Sequence, residues 1–166
     1  MQEADFRTGR HVVHNLNAHL VLTTKYRRDA IATDRVRELL RRVSAQVCAD
    51  AGASLEAWEA DGDHVHLLVS YPPKLALSRL VNSVKGVTSR MLRKERWPEV
   101  TRVLWGDAFW SPSYCVVSCG GAPLEVVKAY VEGQRDPERA RKGAEMRALR
   151  RKGVTKGGRG VARSAH

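Results

Sequence analysis

A chain of 166 residues with 43% hydrophobic content is long enough to bury one core and short for two domains. A formal charge of +11 and a pI near 10.1 point to a polyanionic partner, either nucleic acid or an anionic membrane surface. Three cysteines without a Cys-x-x-Cys pair exclude a disulfide scaffold, and no apolar run approaches the roughly 20 residues of a membrane-spanning helix.

The N-terminal Met-Gln-Glu-Ala-Asp-Phe lacks the basic-then-apolar plan of a signal peptide, so the chain reads as cytoplasmic, and nucleoid-associated when it acts on DNA. Alternation from about Asn15 to Tyr26 predicts a first strand, flanked by His14 and His19, which read as structural or surface residues. Asp34 offers an N-cap to a helix running towards Asp50, with Val36, Leu39, Leu40, Val43 and Val47 on its apolar face. Ala51-Gly52-Ala53 ends that helix. Ser54 to Ala60 reads as a second strand, and Asp61-Gly62-Asp63 turns it into His64-Val-His-Leu-Leu-Val69, an antiparallel hairpin.

Tyr71-Pro72-Pro73 stops the strand. Leu75 to Glu95 repeats Leu77, Leu80, Val81, Val84, Val87, Met91 and Leu92 at helical intervals, leaving Lys85, Arg90, Arg93 and Lys94 exposed. Trp97-Pro98 and Gly106-Asp107 punctuate a loop, Ser113 to Ser118 reads as a strand ending at Gly120-Gly121, and Pro123 opens a third helix. Cys48, Cys115 and Cys119 read as small core residues. From Arg135 to His166 eleven Lys/Arg stand against three Asp/Glu, +8 of the whole +11, so a folded body (1–135) is followed by a basic tail (136–166) expected to be partly disordered.

Strand, helix, strand, strand, helix, strand is the order of a ferredoxin-like sandwich, an α+β fold. It carries a four-stranded antiparallel sheet with two helices on one face and leaves the other face open for a ligand. The aromatic motif of RNA-recognition domains is absent, which argues against base stacking on the sheet. A strand throws His64 and His66 onto one side and Val65, Leu67 and Val69 onto the other, so the imidazoles can grip one divalent cation. Taken alone, His-x-His is more often two half-exposed strand histidines. In the third helix Tyr130 and Gln134 are four residues apart and share a face, presenting a phenol and an amide oxygen together, although each residue alone is usually packing or solvent-facing.

Thr24-Lys25-Tyr26-Arg27-Arg28, Asp63-His-Val-His-Leu-Leu-Val69, Lys85-Gly86, Leu104-Trp105, Trp110-Ser-Pro-Ser-Tyr114 and Tyr130-x-x-x-Gln134, in this order, resemble the HUH single-tyrosine transposases of small insertion sequences. The resemblance spans most of the chain. It implies that His64 and His66 are paired metal ligands, Gln134 the third protein ligand and Tyr130 a nucleophile on a C-terminal helix. It further implies a metal-dependent transposase cutting and rejoining single-stranded DNA at hairpin-flanked sites through a 5′-phosphotyrosine. A homodimer is implied too, able to exchange tyrosine helices about a Gly120-Gly121 hinge. The donors suit Mn2+ by ligand type and Mg2+ by abundance.

Lys25, Arg27, Arg28, Lys85, Arg90 and Arg93 are candidates for phosphate contacts or merely solubilise the surface. The chain departs from the family at Asp61-Gly62, where Met-Pro is usual, at Gly133 in the tyrosine helix, and in its long basic tail. Two other readings share the same residues. One is a host-domesticated hairpin-processing relative; the other is a nucleic-acid-binding module that has lost its chemistry.

Overall fold

The computed structural model of the chain describes residues 6–104 and 108–120. Four strands, β1 (Asn17–Thr24), β2 (Ser54–Asp61), β3 (His64–Ser70) and β4 (Trp110–Ser118), form one antiparallel sheet in the order β2-β3-β1-β4. Helices α1 (Asp34–Asp50) and α2 (Leu77–Glu95) connect β1 to β2 and β3 to β4. The architecture is thus α+β, a four-stranded antiparallel sheet with two helices. The two β-α-β crossovers interleave, which puts β3 and β1 in the middle.

Strand alternation explains the layering. Ala18, Leu20 and Leu22 of β1 pair with Val69, Leu67 and Val65 of β3, and all six pack with α1 and α2 in one core. From α1 the core takes Val36, Leu39, Leu40, Val43 and Val47, as its periodicity predicts, and also Cys48. From α2 it takes Leu80, Val81, Val84 and Leu92. Fully burying a leucine such as Leu20, Leu67 or Leu80 contributes on the order of 2 kcal/mol, so the stripe on each helix suffices to hold it to the sheet. A polar tie joins β4 to α2: the Trp110 Nε1–H donates to Thr88 Oγ1 at 2.9 Å, and that hydroxyl donates to Val84 O at 2.6 Å.

Helix boundaries follow local chemistry with one correction. Asp34 is the first helical residue of α1, and Thr33 takes the N-cap position without a side-chain capping bond. The Thr33 hydroxyl is engaged elsewhere, donating to Glu99 Oε1 at 3.1 Å, where Arg35 Nη2 also donates to Oε2 at 2.6 Å. At the other end Gly52 adopts φ +73°, which lets Ala53 N–H donate back to Cys48 O at 2.9 Å and close the helix.

Two further expectations change. Of the three cysteines only Cys48 is a core residue, its thiol pushed up to about 11 by burial. Cys115 is exposed because it pairs with Val21 and so lies on the face away from the helices, on an edge strand, and Cys119 is half-buried. Nor is the second face of the sheet bare: His66 and Leu68 are buried on it, Leu68 beside Ala57 and Cys119. The predicted third helix, with Tyr130, Gly133 and Gln134, and the basic tail lie outside the described residues, as do Trp105 and the Gly106-Asp107 punctuation. Among the described residues no helix is long and apolar enough to cross a membrane.

Candidate metal centre

The site begins where β1 stops. Thr24 is buried, and its N–H donates to Asp63 O at 2.9 Å while its hydroxyl donates to Arg28 O at 2.7 Å. Between those ties the chain makes one tight turn, Lys25–Arg27, with Tyr26 and Arg27 both at positive φ (60° and 52°). Such left-handed conformations cost non-glycine residues about 1–2 kcal/mol each, and here they aim a side chain. The Arg27 Nε–H donates to Asp63 Oδ2 at 2.9 Å, and Asp63 Oδ1 accepts from His64 Nδ1 at 2.7 Å.

A carboxylate can only accept, so His64 carries its proton on Nδ1 and presents the lone pair on Nε2. This is the way a ligating histidine is usually oriented by its outer neighbours. His64 and His66 share the second face of the sheet, their ring centroids 4.9 Å apart and their planes at 78°. Across the sheet Asp61 stands opposite His64 and Glu59 opposite His66. Ligand atoms of Asp61, Asp63 and His64 lie within 4.8 Å of one another, so these three form a group able to hold a metal ion.

Asp61 and Asp63 are functional candidates that the sequence reading left as turn residues. Their signal was present, since a carboxylate immediately before the first histidine of the hairpin strand and another three residues before it, across the turn, are brought next to it. Electrostatics keeps the centre ready for a cation. Burial, then the neighbouring His64 and His19, hold the His66 imidazole down to about 4, with Asp61 opposing. The ring is therefore neutral at physiological pH.

His19 is the other residue that sequence reasoning missed. It lies inside β1, not beside it, and faces His66: His19 Nε2 and His66 Nδ1 are 2.9 Å apart, with centroids 5.1 Å apart and planes at 24°. Burial lowers its pKa as well. In register it is Val21 that opposes His66, and His19 opposes Leu68, so the contact is the diagonal one across neighbouring strands.

The hairpin that carries the centre is unusual at Gly62. Neither Gly62 nor Asp63 has positive φ, so the glycine is not there for a left-handed turn. It leaves room: a Cβ at Gly62 would stand 2.0 Å from Asp29 Oδ1. Because Asp29 is exposed and can swing outward, Gly62→Ala is expected to lower stability by no more than about 1 kcal/mol in a urea melt. A larger loss would show that Asp29 is held in place.

The six basic candidates are not equivalent. Arg27 orients Asp63; Arg28 donates to Val103 O at 2.7 Å and lies 5.2 Å over the Tyr26 ring, which Lys25 approaches at 5.3 Å. Lys85 donates to Pro112 O at 3.0 Å beside Tyr114, its pKa lowered by desolvation. Arg90 and Arg93 are exposed on α2, in the helical layer behind the histidine face.

A central strand that lays two histidines beside oriented carboxylates, in a four-stranded antiparallel sheet with two helices, defines an HUH-type DNA-processing domain. The chain belongs to the family of IS200-like transposases, the HUH single-tyrosine class, whose family model matches residues 12–134. It is 31% identical over 137 residues to the ISDra2 transposase TnpA of Deinococcus radiodurans, covering 81% of this chain and 94% of that protein. It is 25% identical over 135 residues to the transposase for insertion sequence element IS200 of Salmonella typhimurium, covering 81% and 87%. Among solved structures, a transposase from Deinococcus radiodurans R1 superimposes with a TM-score of 0.62 at 30% identity, over 77% of this chain and 97% of that one. A REP-associated tyrosine transposase bound to a REP hairpin shares the fold, with a TM-score of 0.52 at 14% identity over 76% and 68%.

Proposed function

We propose that the chain is a metal-dependent single-strand DNA endonuclease and strand transferase that cuts and rejoins at hairpin-flanked sites through a covalent 5′-phosphotyrosine. The observation that carries this reading is the orientation of His64: the Arg27–Asp63 pair sets its tautomer so that Nε2 is left as the ligating nitrogen, on a ring that lies beside His66 and belongs to a group with Asp61 and Asp63. An idle surface histidine needs no such support. The donor set fits a divalent cation, with His64 and His66 as ligands and Gln134 as the third, and Asp61 and Asp63 adding negative charge. Imidazole and oxygen donors without thiolate suit Mn2+ or Mg2+. When bound, the cation supplies charge neutralisation at a non-bridging phosphate oxygen.

The chain's own groups do the rest. The Tyr130 oxygen attacks the scissile phosphorus in line; its bond to phosphorus forms as the bond to the 3′ oxygen breaks, and the phenol's proton balances the new 3′-hydroxyl. The phosphodiester energy is conserved in the tyrosyl ester, so a second 3′-hydroxyl reverses the attack and joins strands without ATP. In this reading the ferredoxin-like body with its tyrosine helix occupies 1–135. The basic tail, 136–166, adds phosphate contacts with Lys25, Arg27, Arg28, Lys85, Arg90 and Arg93.

A homodimer with exchanged tyrosine helices is supported by β4, an edge strand with Tyr114, Val116 and Val117 exposed. The test is a denaturing gel of the protein incubated with single-stranded hairpin DNA from the flanks of its own gene, with Mn2+, Mg2+ or chelator. A covalent band that requires metal is expected. DNA binding with no adduct under any of these conditions would leave a binding module with relic ligands as the better account.

A further inference from the structure

We infer that His19 is the positioning residue for His66, accepting a hydrogen bond from its Nδ1–H and thereby holding the lone pair of His66 on Nε2, where the cation binds. The inference rests on the proposed role of His66 as a ligand. Two facing imidazole nitrogens 2.9 Å apart share one proton, so one donates and the other accepts. If His66 accepted, its own proton would sit on Nε2 and block that nitrogen for metal. If it donates, Nε2 is free to ligate.

The ligand role of His66 selects the second arrangement, and it is the one His64 already has, because Asp63 sets the same Nδ1–H tautomer there. The two ligands then match: each is oriented through Nδ1, His64 by the carboxylate of the residue before it and His66 by an imidazole on the neighbouring strand. The choice of partner has a physical reason. His66 is 9% exposed, where a second carboxylate would be a buried charge, whereas a neutral ring accepts the bond and stacks on it. His64 is less buried, and its carboxylate is compensated by Arg27.

The experiment uses the full-length chain and Mn2+ alone as probe, with free Mn2+ read by electron paramagnetic resonance for wild type, His66→Ala, His19→Phe and His19→Gln. His19→Phe keeps a stacking ring without an acceptor, and His19→Gln returns an acceptor oxygen near the Nε2 position. The expected result is Mn2+ affinity lowered about 10- to 100-fold by His19→Phe and largely recovered by His19→Gln. In the metal-free wild type, imidazole 15N resonances are expected to show His66 protonated on Nδ1, a readout that needs no variant to fold.

Wild-type affinity in His19→Phe, or a His66 proton on Nε2, would overturn the inference while leaving His66 a ligand. Unchanged Mn2+ affinity in His66→Ala would instead remove the reading on which the inference stands.

Discussion

Tyr130→Phe is expected to lower covalent protein–DNA adduct by about three orders of magnitude or more, to the background of the gel, while hairpin affinity stays nearly unchanged. The substitution removes one oxygen and leaves the ring and the charge, so what is lost is the atom proposed to attack. A chemical step that depends on one attacking atom has no partial substitute, in contrast to binding, which is spread over many phosphate contacts. The other tyrosines make the experiment specific.

Tyr71 packs against the core, and Tyr114 lies under Lys85 on β4. Tyr26 is 70% exposed and sits one residue from Arg27, which braces the metal centre, so it is the strongest competitor. Adduct that survives in Tyr130→Phe and disappears in Tyr26→Phe would move the nucleophile to the β1 turn and overturn the assignment. Loss of both adduct and binding in Tyr130→Phe would mean that the residue is structural.

His66→Gln is expected to weaken Mn2+ binding at least about 100-fold, because losing a proposed ligand should cost no less than losing the residue proposed to orient it. It should also change how the metal-free protein responds to acid. Folded His66 is held down to about 4, whereas an unfolded histidine titrates near 6.5. The unfolded chain therefore binds the proton first as the pH falls. The stability that the neutral ring contributes is complete above about 6.5 and drains away towards pH 4, on the order of 3 kcal/mol over the window.

His19, lowered by its own burial, works in the same direction. Urea melts of chelator-treated protein between pH 7 and pH 4 should show this decline in wild type and a shallower one in His66→Gln. Equal slopes would mean that the buried imidazole responsible for acid sensitivity lies elsewhere.

Much of this molecule follows from periodicities that are local to one element. The alternation of β1 and β3 and the 3.6-residue stripes of α1 and α2 place nearly every predicted core residue, since each pattern needs only a single strand or helix to be read. The pairing of His64 with His66 on one face belongs to the same class, as does the family resemblance carried by motifs in fixed order. What lies between elements was not legible. Asp34 was read as a cap because its type and position fit, but Thr33 sits there, its hydroxyl drawn to Glu99 by the fold. Cys115 was read as a core residue and is exposed, because only the pairing of β4 with β1 puts it opposite Val21, on the face away from the helices.

The sequence by itself determined the four strands and two long helices of the described body, the histidine pair and the family. Tertiary structure alone decided how the metal centre is supported: Arg27 meets Asp63 across 36 positions, and His19 meets His66 across 47. The reason is that register and loop closure are set by which apolar faces bury together, and one residue of slip would turn His19 to the helical side and leave His66 without its partner.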